Sequence, residues 1–200
     1  MKGLYAITES DSNNLLKNVR LALQGGVSIL QYRNKNADIA QKITEATALL
    51  SLCQEYNVCF IINDDIQLAK QVRADGVHLG RDDGSISEAR DVLGDNAIIG
   101  VTCYQDIERA VEAEKSGANY VAFGSFFASP TKPNAPRADI KLLQQARVQL
   151  SLPICCIGGI TLQNADRLIE HGADMVAVIS SLFATEDIKQ TARQFSAGFV

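Results

Sequence analysis

Short apolar runs alternate with longer helical patterns along the whole 200-residue chain, and this alternation restricts the architecture more than any other feature. Eight runs read as strands: LYAIT (4–8), SILQYR (28–33), CFIIN (59–63), GVHLG (76–80), AIIGVT (97–102), YVAFGS (120–125), PICCIGG (153–159) and MVAVIS (175–180). Helical patterns fill the intervals, near 12–24, 38–56, 65–73, 85–93, 105–115, 138–148, 161–170 and 186–196. In the fifth of these, Ile107, Ala110, Val111 and Glu114 mark an inner and an outer face. Strands separated by helices build a parallel sheet, because each parallel crossover needs a dozen or more residues. Four joints, GGVSILQ, ADGVHLG, SGANYVAFG and HGADMVAVI, carry Gly at or just past a helix end, where it is expected to close the helix in the left-handed conformation. Eight such units fit a closed, eight-stranded parallel (β/α)8 TIM barrel, compact for that fold, as a single domain over residues 1–200. The α/β alternative is a doubly wound open sheet. That fold usually carries a G-x-G-x-x-G turn after its first strand, and here the first strand runs into ESDSNN.

Composition narrows the function classes. The net charge is −4 and no basic tract occurs, so neither nucleic acid nor a membrane surface is an expected partner. Any anion site must be local, built from a few basic side chains, backbone amides or a metal. Cys53, Cys59, Cys103, Cys155 and Cys156 are odd in number and form no C-x-x-C pair, which argues against a disulfide framework or a structural zinc site. Cys155 and Cys156 lie in an apolar run and read as small core residues. The start, MKGLYAITES, has no signal-peptide pattern, and no run approaches a membrane span, so the expected address is the cytoplasm. The composition is compatible with a homo-oligomer.

The segment SILQYRNKNAD (28–38) starts like a buried strand, yet Gln31, Arg33 and Lys35 share one face of it. In a (β/α)8 barrel, function collects at the C-terminal strand ends. Those ends carry Gln31, Arg33 and Lys35 after the second strand, and Asn63, Asp64 and Asp65 after the third. His78, Asp82 and Asp83 follow in and after the fourth strand, and Thr102 ends the fifth. Asn63, Asp64 or Asp65 could simply cap the next helix, and Asp82, Asp83 or Ser85 the one after it. Together, acids on neighbouring strands beside Arg and Lys suit a hard cation bridging carboxylates to phosphate oxygens. Gly158 and Gly159 offer backbone amides for a second anion, with Ser180 and Ser181 at a helix start. His78 faces the lumen by strand parity, either as a satisfied core residue or as part of the site. His171 ends a helix, where a cation suits the dipole. The Pro-rich segment FFASPTKPNAPRAD (126–139) has the length and composition of a functional loop.

These residues, in this order and on these strands, resemble the thiamine phosphate synthase family over nearly the whole chain. QYRNK matches the family's Q-x-R-x-K, and IIND its Asn-Asp after the third strand. DGVHLGRDD matches G-V-H-x-G-x-x-D, SPTK its T-x-T-K-like loop, and IGVT, IGGI and AVIS complete the set. The resemblance implies a (β/α)8 transferase joining hydroxymethylpyrimidine diphosphate to thiazole phosphate, with Mg2+ as cofactor. It assigns Gln31, Arg33, Lys35 and Asn63 to the pyrimidine diphosphate, Asp64 and Asp83 to the metal, and Thr102 to the pyrimidine or its diphosphate. Ser129 and Thr131 would approach the thiazole and Lys132 the diphosphate. Gly159, Ile179 and Ser180 would hold the thiazole phosphate. The matched runs also bring Tyr32, Asn34 and Pro130 into the substrate-binding set, with the Tyr32 side chain facing outward or packing. Arg33, Lys35 and Lys132 would be the catalytic cations.

The chain departs from the family pattern at three places. Asp65 stands where many members carry Arg. Thr102 replaces a common Ser and Ser129 a common Thr, both keeping a hydroxyl. The implied chemistry is dissociative: diphosphate leaves, the aminopyrimidine spreads the positive charge of its methylene, and the thiazole nitrogen attacks. A thiazole tautomerase on the same barrel would lack the diphosphate set retained here. A non-catalytic phosphate-ligand binding or regulatory protein is the second alternative, and no added interaction segment supports it. A sugar-phosphate isomerase would need an acid–base pair, which the strand ends do not supply.

Overall fold

The structure is a computed structural model that describes residues 1–9, 14–128 and 137–199. Eight parallel strands close into a barrel in chain order. They are β1 (Gly3–Ile7), β2 (Val27–Tyr32), β3 (Cys59–Asn63), β4 (Gly76–Leu79), β5 (Ile98–Tyr104), β6 (Tyr120–Gly124), β7 (Ile154–Ile157) and β8 (Met175–Val178). β8 returns to β1, pairing Met175 with Gly3 and Val178 with Ala6. The intervening helices are α1 (Leu15–Gln24), α2 (Ile39–Tyr56), α3 (Ile66–Val72), α4 (Ile86–Leu93), α5 (Ile107–Lys115), α6 (Ile140–Gln149) and α7 (Ala165–Glu170). A short α8 (Ser180–Phe183) precedes the last helix, α9 (Ile188–Ala197). The expected barrel is therefore present, with one short helix that sequence periodicity did not resolve. Four residues are too few to show a helical repeat. Among the described residues no helix is long and apolar enough to cross a membrane.

Two apolar layers hold the barrel together. The outer layer lies between strands and helices and includes Leu30, Tyr32, Phe60, Phe123 and Cys156. The lumen holds a second cluster with Tyr5, Ile29, Ile61, Tyr120, Cys155 and Met175. Strand parity separates the layers: Ile29 points in and Leu30 out, Cys155 in and Cys156 out. Both of these cysteines are buried and unpaired, and burial raises both thiol pKa values, as small core residues require. Gly100 makes room for a lumen ring, since a β-carbon there would sit 2.0 Å from the Tyr120 side chain.

The joints differ in one case from expectation. Gly26, Gly117 and Gly172 take positive φ after α1, α5 and α7. In ADGVHLG the left-handed residue is Arg73, at φ 61°, and it closes α3. Gly76 instead starts β4 against β5, where a β-carbon would lie 1.8 Å from the Ile98 carbonyl oxygen. That glycine serves close strand approach rather than helix closure.

Helix starts sort the acidic residues. Asp38, Asp65, Ser85, Asp106, Asp139 and Asp187 each accept a backbone N–H three residues on and cap the helix that follows. Asp65 and Ser85 therefore do the capping after β3 and β4. Asp64 and Asp83 are left without that task.

Candidate active site

The C-terminal mouth begins at the end of β2. The strand ends at Tyr32, so Arg33 lies just beyond it rather than closing it as expected, with Lys35 further along the exit. Thr8, after β1, fixes this exit. Its Oγ1 accepts from the Arg33 N–H at 2.8 Å and donates to the Arg33 carbonyl at 3.1 Å. The Thr8 N–H also donates to the Gln31 carbonyl at 3.0 Å. Gln31 points into the lumen, where its Nε2 donates to the Tyr5 hydroxyl at 2.8 Å.

Tyr32 and Asn34 take structural positions. The Tyr32 side chain packs in the outer layer and donates to Glu45 Oε2 at 2.7 Å. Asn34 Nδ2 donates to the same oxygen at 3.1 Å, and its Oδ1 accepts from the Asn36 and Ala37 N–H groups. These bonds shape the 33–37 turn. Burial acts to raise the Glu45 pKa, but hydrogen bonds from Tyr32, Gln41 and Asn34 hold it below its ordinary value. Glu45, on the long α2, thus anchors the basic turn through a charge-assisted pair of bonds.

Beside this turn stand the two acids that cap no helix. Asp64 sits in the left-handed region at φ 64°, and its N–H donates to the His78 carbonyl at 2.8 Å. A non-glycine residue held there is a strained conformation of the kind that collects at functional sites. Lys35 Nζ lies 3.4 Å from Asp64 Oδ2. With Lys35 mostly exposed, that pair adds little stability and serves to hold the cation at the rim. Asp83 Oδ2 accepts from the Gly80 N–H at 3.0 Å. Partial burial raises the Asp83 pKa first, and the neighbouring Asp64 carboxylate raises it further by charge and by a shared hydrogen bond. Two carboxylates therefore face each other with Lys35 beside them.

Their repulsion fixes the sign of a pH effect. A carboxyl with a raised folded pKa binds more protons folded than unfolded, so stability falls as pH rises through the aspartate range. The full cost is present at neutral pH. Asp83→Asn is expected to raise the metal-free thermal midpoint at pH 7. Acidification below the ordinary aspartate pKa of 3.8, where the carboxyl is protonated in both states, should erase the gain. Thermal melts of both proteins across that range check it.

Thr102 and His78 form the far wall. Thr102 Oγ1 lies 2.7 Å from His78 Nε2, and His78 Nδ1 lies 2.9 Å from the Tyr120 hydroxyl. Burial pushes the His78 pKa down to about 4, against a smaller opposing pull from Asp83, so its imidazole is neutral at physiological pH. Arg109, on α5, ties this wall together from behind. Its Nε donates to the Thr102 carbonyl at 2.9 Å and its Nη2 to the Gly80 carbonyl at 3.2 Å. Arg109→Ala is expected to cost about 1.5–3 kcal/mol of stability, the usual worth of hydrogen bonds from a charged group. Turnover should fall about tenfold through displacement of Thr102 and the Asp83 loop. Lys at this position should not restore it, lacking the fork that reaches two carbonyls. Urea denaturation and steady-state kinetics read the two effects.

The opposite side of the mouth is built on glycine. Gly158 and Gly159 follow β7 at φ 102° and 64°. A β-carbon on Gly159 would lie 2.4 Å from the Ala128 carbonyl oxygen, and the Gly158 carbonyl accepts from the Phe127 N–H at 2.9 Å. These glycines thus seat the base of the Pro-rich segment. Ile179 immediately precedes α8, and Ser180 is its first residue. Ser129, Pro130, Thr131 and Lys132 lie outside the described residues. His171 closes α7 and uses Nδ1 to donate to the Arg167 carbonyl at 2.7 Å.

A cleft of ≈ 880 Å³ lies at the other end of the barrel, lined by Cys59, Arg73, Asp75 and Ile98 among others. Asp75 there accepts from the Phe60 N–H, a strand-supporting bond. Asp64, Asp83 and Lys35 converge at the C-terminal mouth, where barrel active sites form.

A family model described as thiamine monophosphate synthase matches residues 4–182. The chain belongs to the thiamine monophosphate synthase family. A thiamine-phosphate synthase of Azoarcus sp. is 52% identical over 201 residues, covering 100% of this chain and 98% of that protein. The thiamine-phosphate synthase of Thiobacillus denitrificans is 49% identical over 199 residues, covering 98% and 94%. Among solved structures, a thiamine phosphate pyrophosphorylase from Pyrococcus furiosus aligns with a TM-score of 0.89 at 33% identity, covering 98% of this chain and 94% of that one. A 3-hexulose-6-phosphate synthase aligns at 0.73 with 16% identity, a likeness of fold alone. As a member of this family the chain is an enzyme, a transferase.

Sequence pattern alone does not mark Thr8, Glu45 or Arg109. Thr8 ends an ordinary strand run, and Glu45 and Arg109 read as solvated helix positions. Only the strand-end position of Thr8 carried a signal.

Proposed function

We propose that the mouth transfers the hydroxymethylpyrimidine group from its diphosphate to the ring nitrogen of thiazole phosphate, giving thiamine monophosphate and diphosphate with Mg2+ present. The observation that carries this reading is the convergence of Asp64 and Asp83 beside Lys35, one residue set that suits metal, diphosphate and base together. The acids fit Mg2+ by their chemistry. Two hard carboxylate ligands, with the Asp83 pKa raised beside Asp64 and no third His, Cys, Asp or Glu gathered among the described residues, match an ion that keeps waters and takes substrate phosphates. When bound, such an ion neutralises charge on the departing diphosphate.

Arg33, Lys35 and Lys132 supply fixed positive charge at the oxygens where negative charge develops. Gln31, Asn63 and Thr102 orient the pyrimidine ring and its diphosphate. The methylene C–O bond breaks with its electron pair leaving on the diphosphate, and the amino group of the ring delocalises the positive charge. Ser129 and Thr131 set the thiazole so that its nitrogen lone pair forms the new C–N bond. Gly159, Ile179 and Ser180 hold the thiazole phosphate beside a short extra helix after the last strand, a recurrent phosphate position in this fold. No step needs a strong protein base. The remaining task is exclusion of water, which would otherwise capture the cation.

The direct assay is the purified protein with both phosphorylated substrates. Equal yields of thiamine monophosphate and diphosphate are expected with Mg2+, and none with chelator. Isomerisation of thiazole phosphate alone, without coupling, would establish the tautomerase reading instead.

A further inference from the structure

Five polar side chains form an unbroken hydrogen-bonded chain across the barrel lumen. Gln31 Nε2 meets the Tyr5 hydroxyl at 2.8 Å, and Tyr5 meets the Tyr120 hydroxyl at 2.7 Å. Tyr120 meets His78 Nδ1 at 2.9 Å, and His78 Nε2 meets Thr102 Oγ1 at 2.7 Å. The three middle members are buried, with Tyr5 1%, Tyr120 0% and His78 8% exposed. They sit in a lumen that is otherwise apolar, and they use no other side-chain partner among the hydrogen bonds described. The Tyr5 and Tyr120 rings meet edge-on at 5.9 Å, and His78 stacks on Tyr120 at 5.5 Å. Gly100 is the gap that admits the Tyr120 ring. Two tyrosines and a histidine in a barrel core are costly to bury, and apolar residues would fill the same volume. The two ends are Gln31, 3% exposed near the close of β2, and Thr102, half-buried in β5.

Such a chain has two proton orders and no others. Each tyrosine hydroxyl has one hydrogen, so it donates to one neighbour and accepts from the other. A neutral imidazole has one N–H and one lone-pair nitrogen. Fixing one link fixes all four. Gln31 turns its amide nitrogen to Tyr5, so Tyr5 accepts there and donates to Tyr120. Tyr120 then donates to His78 Nδ1, and His78 Nε2–H donates to Thr102. The ends acquire defined characters. Gln31 keeps Oε1 as an acceptor, with one Nε2 hydrogen left over, and the Thr102 hydroxyl hydrogen is left to donate into the mouth. No sealed side-chain nitrogen or oxygen lacks a partner among the described residues, so Gln31 Oε1, which takes no bond there, is open to the site. Reversing the order would exchange both characters at once. A mixed order would put two hydrogens, or none, in one buried link and leave a sealed polar group unsatisfied.

We propose that Tyr5, Tyr120 and His78 are positioning residues that lock Gln31 as an acceptor and Thr102 as a donor, so that the two ends select their ligand jointly. The inference rests on the reading that the mouth takes an aminopyrimidine diphosphate. That ligand suits the locked order: its exocyclic amino group donates to Gln31, and a ring nitrogen or diphosphate oxygen accepts from Thr102. An analogue with an oxo group in place of the amino group offers an acceptor where Gln31 also offers one. To free Oε1 from that position, the protein would have to reverse four buried bonds together.

Two measurements test the chain. In the free protein, 15N spectra of the histidine rings, assigned with the aid of His171→Gln, should show His78 with Nε2 protonated and Nδ1 bare. An Nδ1–H tautomer overturns the proposed order whatever the ligand is. Calorimetry with the amino- and oxo-pyrimidine diphosphates should show the wild type preferring the amino form by about 10²-fold or more, as expected when buried polar groups meet a mismatched partner. Tyr120→Phe cuts the chain at its centre and leaves both ends in place, and it should reduce that preference at least tenfold. Loss of affinity for both ligands by the same factor would show a merely structural tyrosine and overturn the proposal. If neither diphosphate binds the wild type, the underlying reading of the mouth fails and the ligand half of the inference fails with it. The tautomer result judges the proton order separately.

Discussion

Replacing both Asp64 and Asp83 by alanine is expected to lower Mg2+-dependent turnover by about 10³-fold or more while the barrel stays folded. The size follows from what the pair does. On the proposed reading, the variant holds no cation between the basic turn and the loop after β4, and the diphosphate leaves against its own charge. The intact fold follows from what the pair does not do. Asp65 and Ser85 cap α3 and α4, so neither helix loses its start. Removing the pair also removes a repulsion that raises the Asp83 pKa. Circular dichroism and thermal midpoints should match or exceed the wild type. Near-normal turnover in the double variant would reject the metal site.

Arg33→Ala is expected to cut kcat/KM for the pyrimidine diphosphate by about 10²-fold, the scale of a lost charge-assisted bidentate contact. The KM for thiazole phosphate should change less than about twofold, since uniform effects on both ligands are not expected from a contact to one. The backbone at this position is held independently of the guanidinium, by the two Thr8 bonds, so the variant keeps its local geometry. Equal losses for the two substrates would remove Arg33 from the diphosphate side.

The barrel was legible because its signal is periodic. Strand runs and helical stretches alternate at the right lengths, and each observed strand falls within about two residues of its expected bounds. The basic turn was legible because Gln31, Arg33 and Lys35 break an apolar strand on one face. Which aspartate does what was not legible. Asp64 and Asp65 are neighbours of one type, and only backbone geometry makes one a cap and the other, at φ 64°, a rim carboxylate. The lumen chain was hidden for a different reason. Tyr5 and Tyr120 sit in strands where a core tyrosine is unremarked, and their meeting spans 115 residues of sequence. Gly100 in IGVT reads as a strand irregularity until the Tyr120 ring above it is seen. Arg109 reads as a surface helix residue because its partners are carbonyls, which every residue possesses.

The central claim is that Asp64 and Asp83 hold a divalent cation against a diphosphate at this mouth. Calorimetric titration of inorganic diphosphate into the wild-type protein, with and without Mg2+, tests it without reference to turnover. Binding is expected with Mg2+ and should weaken at least about tenfold without it, because two carboxylates alone repel the anion. In Asp64→Asn/Asp83→Asn the dependence on Mg2+ should disappear. Equally tight binding with and without Mg2+ in the wild type, or an unchanged Mg2+ dependence in the double variant, would contradict the account.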